Sequence, residues 1–113
     1  MKNNTIHFIE LQATNLDEIK KFYGNTFGWS FTDYGDAYCD FHEAGISGGF
    51  AKTDIMTTGG TLVVLYHTNL QEAMDNVINH GGKIWKEIFS FPGGSRFEFI
   101  DPSGNKLAVW NDK

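Results

Sequence analysis

Few side chains in this sequence are placed to do chemistry, and Glu10 is the first of them. It lies in Thr5–Ala13, where alternation predicts a strand. Ile6, Phe8, Glu10 and Gln12 share one face, and His7, Ile9 and Leu11 share the other. A carboxylate among apolar neighbours has a raised pKa unless a cation or donor satisfies it. Such a group serves as a general base or as an anchor for a ligand amine. Structural pairing with Lys106 or Arg96 is the other reading. Asp40 and His42 sit two apart on another predicted strand and share a face. Both are metal-ligand types, but two ligands are too few to hold an ion. His80 precedes Gly81 at a predicted helix end, where a cation suits the C-terminus. Cys39 is the one cysteine, which excludes an internal disulfide and a CxxC metal site. In an aromatic strand it reads as a small core residue. Arg96 and Glu98 share a strand face whose direction the hairpin register leaves open.

The elements that must position these groups come in two copies. Phe8 to Trp29 reads as a strand, a capped helix and a turn into a second strand. Thr14-Asn15-Leu16 returns as Thr68-Asn69-Leu70, an offset of 54 residues. Glu18 is then answered by Glu72, Gly28 by Gly82, Phe31 by Trp85, and Phe8 by Leu62. Spacing that survives a strand, a cap, a helix and a turn points to one duplicated unit. Asn15 with Glu18, and Asn69 with Glu72, have capping-box spacing. Leu16, Ile19, Phe22, Tyr23 and Phe27 form one predicted apolar stripe, and Leu70, Ala73, Met74, Val77 and Ile78 the other. Gly28 and Gly81-Gly82 stop the helices. Strands are expected over 29–34, 38–43, 48–52, 62–67, 83–89, 96–100 and 106–110, with a loop over 91–94. Each copy is then β-α-β-β-β. Module 1 spans about 5–52, residues 53–60 join the copies, and module 2 spans about 61–111.

The 113 residues suit one domain, 1–113, and 41% hydrophobic with 15% aromatic content is enough for a packed core. Nine basic against fourteen acidic residues give a net charge of −5, with no Lys/Arg cluster. That disfavours a nucleic-acid or anionic-membrane partner and mildly favours neutral or cationic ligands. No signal peptide or long apolar run is present, so cytoplasmic residence is expected.

Phe22-Tyr23 followed by Phe27-Gly28-Trp29, the helix stop at Gly81-Gly82, and the Asp101-Pro102-Ser103-Gly104-Asn105 turn before a last strand resemble the vicinal oxygen chelate superfamily. That group includes glyoxalase I, extradiol dioxygenases and bleomycin-binding proteins. The chain is most similar to small bacterial proteins related to lactoylglutathione lyase. The resemblance implies an α+β fold, two βαβββ modules whose strands form a cupped mixed sheet around a cavity, with the helices outside. A homodimer is expected, since dimers are common in the family and hide strand edges.

In the metal-dependent members of this family, His and Glu side chains from the first and last strand of each module hold a divalent ion. The resemblance puts one ligand fourteen residues before Phe22, at Phe8, and the repeat carries it to Leu62. Another falls seven residues after Asp101, at Ala108. The fourth belongs near the end of the fourth strand, yet 44–53 holds no His, Asp, Glu or Cys. Phe, Leu and Ala side chains offer no lone pair. The expectation is therefore no metal and no cofactor. Either the cavity has become an apolar pocket for a small organic molecule, or side chains fill it. If Phe8 and Leu62 face the cavity, strand parity turns His7 and His67 toward helices or solvent. The cavity residues are then Phe8, Glu10, Gln12, Leu62, Val64, Tyr66, Ala108 and Trp110. Glu10 is the candidate catalytic base of a metal-independent lyase or isomerase, the alternative to simple binding. A metal-dependent glyoxalase-like or dioxygenase activity is the third reading.

Overall fold

The computed structural model describes residues 1–56 and 60–113. The expected joint over 53–60 therefore falls partly on residues 57–59, outside the described residues. The element order is β1 (Thr5–Ala13), α1 (Leu16–Phe27), β2 (Ser30–Asp33), β3 (Tyr38–His42), β4 (Gly48–Lys52), β5 (Leu62–Tyr66), α2 (Leu70–Asn79), β6 (Lys83–Phe91), β7 (Gly94–Ile100) and β8 (Lys106–Asn111). The fold is α+β with two βαβββ modules. Among the described residues, no helix is long and apolar enough to cross a membrane.

Two compact units divide the chain: Phe8–Thr61, and Met1–His7 with Leu62–Lys113. In the first unit the strand order is β2-β3-β4-β1, with β1 and β4 parallel and the others antiparallel. Asn15 caps α1 by accepting the Glu18 amide at 3.0 Å. Gly28 ends the helix at φ 77°, a left-handed value that costs glycine least. Ala13, Leu16, Cys39, Phe41 and Phe50 form the core, with Leu11, Ile19, Tyr23, Trp29 and Phe31 packed against it. Cys39 is fully buried, as a core thiol should be. Burial and then the Asp33 carboxylate push its pKa up. Phe22 and Phe27, expected in the buried stripe, are 53% and 61% exposed. Leu16, Ile19 and Tyr23, at i, i+3 and i+7, already cover the sheet, so the two phenylalanines flank it.

In the second unit the order is β5-β8-β7-β6, with β5 and β8 parallel. Leu70, Ala73, Met74, Phe97 and Val109 form its core, while Ile78, expected in the stripe, is exposed. Asn69 caps α2 through the Glu72 amide at 3.1 Å. The box was expected to close through Glu72. Instead the Asn69 amide donates to Nδ1 of His67 at 2.9 Å, and that histidine is buried. His80 Nδ1 lies 2.8 Å from the Asn76 carbonyl at the far end, and Gly81 follows at φ 97°. The loop expected over 91–94 is shorter than read. Both strands run on until Phe91 pairs with Gly94, because Pro92 and Gly93 alone make the turn. Gly93 takes φ 108° there.

Candidate functional site

In each unit the sheet has one helix-covered face and one face turned away from its helix. Register in the first unit assigns the rows. Leu11, Phe50 and Cys39 are cross-strand neighbours on the α1 side. One residue along, Glu10, Gly49, Asp40 and Thr32 form the next row, on the opposite face. Gln12, Ala51 and Tyr38 form another row there. Phe8, Glu10 and Gln12 are each half-buried, as are His7, Ile9 and Leu11, while Ile6 is exposed.

Gly49 shapes this row. A Cβ at residue 49 would overlap the Tyr38 hydroxyl, so that hydroxyl lies over the bare glycine with Glu10 on one side and Asp40 on the other. Burial, then the Asp40 carboxylate, then Glu10 push the Tyr38 pKa up. The phenol therefore stays protonated and acts as a hydrogen-bond donor. The sequence signal for it was Tyr38 two residues before Asp40, which alternation puts on Asp40's face. His42 follows on the same face, with Nε2 2.8 Å from Thr32 Oγ1.

In the second unit Phe97 is fully buried in the α2-side core. Glu98 therefore points to the other face, where its cross-strand partner is Ala108, itself paired with Val64. Arg96 pairs with Trp110, and Trp110 with Tyr66, in the neighbouring row. This settles the direction the sequence left open. Glu98 is 5% exposed and clamped by Arg96 Nη2 at 3.0 Å and Lys106 Nζ at 3.2 Å. Arg96 and Lys106 thus both engage Glu98. Leu62, Val64, Tyr66 and Ala108 are buried and Trp110 is half-buried. The rings of Tyr66 and Trp110 meet edge to face, 5.9 Å apart. Burial and the nearby Asp112 push the Tyr66 pKa up.

His7 also meets Trp110: their rings stack at 5.5 Å and the indole Nε1 donates to His7 Nδ1 at 3.2 Å. His7 closes the short N-terminal stretch that belongs with the second unit, while the rest of β1 belongs with the first.

A separate open cleft of about 390 Å³ lies at the start of α1, lined by Thr14, Asn15, Leu16, Lys20, Asp33 and Lys52 among others. None of the cavity or catalytic candidates read from the sequence lines it. Among the described residues, no three His, Cys, Asp or Glu side chains group to hold a metal ion.

The chain is similar in sequence and in fold to known proteins. It is 23% identical over 130 residues to CFP32 of Mycobacterium tuberculosis, a protein provisionally named a glyoxylase. The match takes in 96% of this chain and 46% of CFP32, so the chain spans about half the length of that relative. A glyoxylase-like domain-containing protein of Didymella fabae is 27% identical, with 89% of this chain and 88% of that protein covered. Among solved structures, a glyoxalase/bleomycin resistance protein/dioxygenase superfamily member from Vibrio splendidus superposes with a TM-score of 0.72 at 13% identity. That match covers 96% of this chain and all of the other. The sequence profile of this superfamily matches residues 5–109, both βαβββ modules included, and the chain belongs to the glyoxalase/bleomycin resistance protein/dioxygenase superfamily.

Proposed function

We propose that this chain binds a small organic molecule without a metal ion, and that Glu10 is the carboxylate that meets it. One observation carries the reading: Phe8, Leu62 and Ala108 occupy the positions where the family resemblance places metal ligands. Hydrocarbon side chains cannot coordinate an ion. The residues present therefore do not fit the divalent metal of the metal-dependent members. The proposed ligand-facing residues are Phe8, Glu10 and Gln12 in the first unit. In the second they are Leu62, Val64, Tyr66, Ala108 and Trp110. Each lies on a strand whose register supports a helix-free face. Mostly apolar walls with a few polar groups are what small-molecule sites use. Glu10, Tyr38 and Asp40 in adjoining positions favour a ligand that offers an amine or other N–H donors.

A second reading is favoured by the Tyr38 hydroxyl. A carboxylate base beside a protonated phenol can take a proton from a substrate while the phenol donates to a developing negative charge. That pairing supports a metal-independent lyase or isomerase with Glu10 as base. The glyoxylase names of the relatives support the same class.

Calorimetric titration with nickel, zinc and iron is expected to show no saturable heat. One site per chain, abolished in His42→Ala, would restore the metal-dependent reading. Thermal-shift screening with organic amines should give hits that Glu10→Gln weakens. A reaction lost in Glu10→Gln with binding retained selects the enzyme reading. A variant with both properties intact removes Glu10 from the site. A homodimer is part of the proposal, and a monomer in sedimentation would remove that part.

A further inference from the structure

We propose that His67 is a proton-sensitive latch on the junction between β5 and α2, closed while its ring is neutral and released when the ring takes up a proton. This goes beyond the reading centred on Glu10 and does not depend on it.

The hydrogen bond fixes the state of the ring. His67 is 6% exposed, and its Nδ1 lies 2.9 Å from the Asn69 backbone N–H. A backbone N–H can only donate, so Nδ1 carries no proton and the ring's one N–H is at Nε2. An imidazolium has N–H groups at both positions and sets donor against donor there. The bond therefore exists only with the neutral ring. His42 and His80 are under no such constraint. His42 Nε2 meets the Thr32 hydroxyl, which can accept, and His80 Nδ1 meets the Asn76 carbonyl, which only accepts. The repeat shows that the fold does not demand an imidazole here. The residue 54 positions earlier is Ala13, whose side chain offers no acceptor, and α1 is capped by Asn15 all the same.

Release matters because three segments meet at this junction. The His67 N–H donates to the Trp110 carbonyl at 3.1 Å, which ties the junction to the end of β8. The Thr68 carbonyl accepts from Asn111 Nδ2 at 3.3 Å, and the Thr68 amide donates to Asn3 Oδ1 at 3.0 Å. Asn69 caps α2, and its carbonyl accepts the Ala73 N–H at 3.1 Å. Protonating the ring takes the acceptor from the Asn69 N–H and places a charge at a buried position. Both effects favour turning the ring out to water, and the first turn of α2 loosens with it.

Charge around the ring decides whether the imidazolium can stay in place. The N-terminal stretch carries Lys2 and the terminal amine, and α2 carries Glu72 and Asp75. Lys106 lies on β8, with Asp112 and Lys113 just past it, and β5 has no charged residue. Among the described residues, no carboxylate is ion-paired with His67. Asp112 lies beside Tyr66, and Asp75 accepts from Gln71. His7 is the other titratable ring at this end of the sheet, and it accepts from the Trp110 indole. The two rings must therefore be told apart.

The test follows the His67 and His7 rings by long-range nitrogen–proton NMR and measures amide exchange at about pH 7.5 and about pH 5.5, either side of the ordinary imidazole range. Exchange is expressed as protection relative to the intrinsic rate at each pH. The Asn69 and Ala73 amides should lose about tenfold protection or more at the lower pH, in step with the His67 ring. The Ile9 amide in the first unit should keep its protection. His67→Asn puts an amide oxygen near the place of Nδ1 and does not titrate, so its Asn69 protection should be equal at both pH values. A His67 ring that protonates while Asn69 protection is unchanged overturns the proposal, and so does a ring that stays neutral at the lower pH. A loss that follows His7 instead, or that His67→Asn repeats in full, overturns it as well. An equal loss at Ile9 does the same, because it marks general acid unfolding.

Discussion

Gly49 shows how a single absent methyl sets up a site. The Tyr38 hydroxyl occupies the space a Cβ would need, and the Cys39 carbonyl also presses on it. Gly49→Ala should therefore destabilise the first unit by about 2 kcal/mol, the usual cost of overpacking, read as a lower urea midpoint. Tyr38→Phe in the same background should recover part of that loss, since it removes the clashing oxygen. If Gly49→Ala is neutral, the hydroxyl does not lie over Gly49, and its placement between Glu10 and Asp40 goes with it. Asp101 supplies a pH prediction. The Asn105 side chain, the Asn105 backbone N–H and the Ser103 N–H hold its carboxyl below the usual range. A depressed carboxylate stabilises the fold above its unfolded pKa, and the contribution is lost as pH falls through the folded value. Asp101→Asn should accordingly lower the Tm at pH 7, and the gap to the parent should narrow below about pH 4, near the unfolded aspartate value. Equal gaps at both pH values would show that the hydrogen bonds, not the charge, matter at this turn. Residue types told the Asp101 turn in advance. They did not tell Glu98: its direction depends on which residue of β8 it pairs with, and that is a long-range fact.

Elements were the most legible level, and the reason is local. Asn15 and Asn69 cap their helices because a short amide side chain reaches the backbone N–H three residues on, and both bonds are present at 3.0 and 3.1 Å. Asn15→Ala and Asn69→Ala should each cost about 1 kcal/mol in chemical denaturation. The second leaves in place the backbone N–H that donates to His67. His67→Phe keeps the volume and removes the acceptor, so it should destabilise by about 1–3 kcal/mol, the range for a backbone donor left buried without a partner. A His67→Phe protein as stable as the parent would mean water takes that amide at little cost. The sequence hid this contact because capping-box spacing nominated Glu72, and nothing in spacing shows that the residue just after β5 turns its side chain onto the cap. β6 was read correctly as a strand over 83–89, but its bulges were not legible, because they answer its pairing with β7.

At the scale of the molecule, the N-terminal residues are stitched into the later half of the chain. The Asn4 amide donates to the Tyr66 carbonyl at 2.9 Å, and Asn3 exchanges two bonds with Thr68: its Oδ1 accepts the Thr68 amide at 3.0 Å and its Nδ2 donates to Oγ1 at 3.2 Å. His7 stacks on Trp110 at the end of the same stretch. Residues 1–7 therefore stabilise the strand–helix junction around Thr68 although they precede the first module in sequence. The repeat placed module 1 at about 5–52, and spacing could not reveal that residues 5–7 group with the later half of the chain. A local test follows. Asn3→Ala should speed hydrogen exchange at the Thr68 amide about fivefold or more, since one to two hydrogen bonds near 1 kcal/mol each are lost. The Ile9 amide, bonded to the Ser47 carbonyl at 3.0 Å in the first unit, should keep its protection. If both amides speed up together, the two units open as one, and the substitution is reporting global stability. If neither does, the Asn3 contact is too frayed to matter, and other contacts hold residues 1–7.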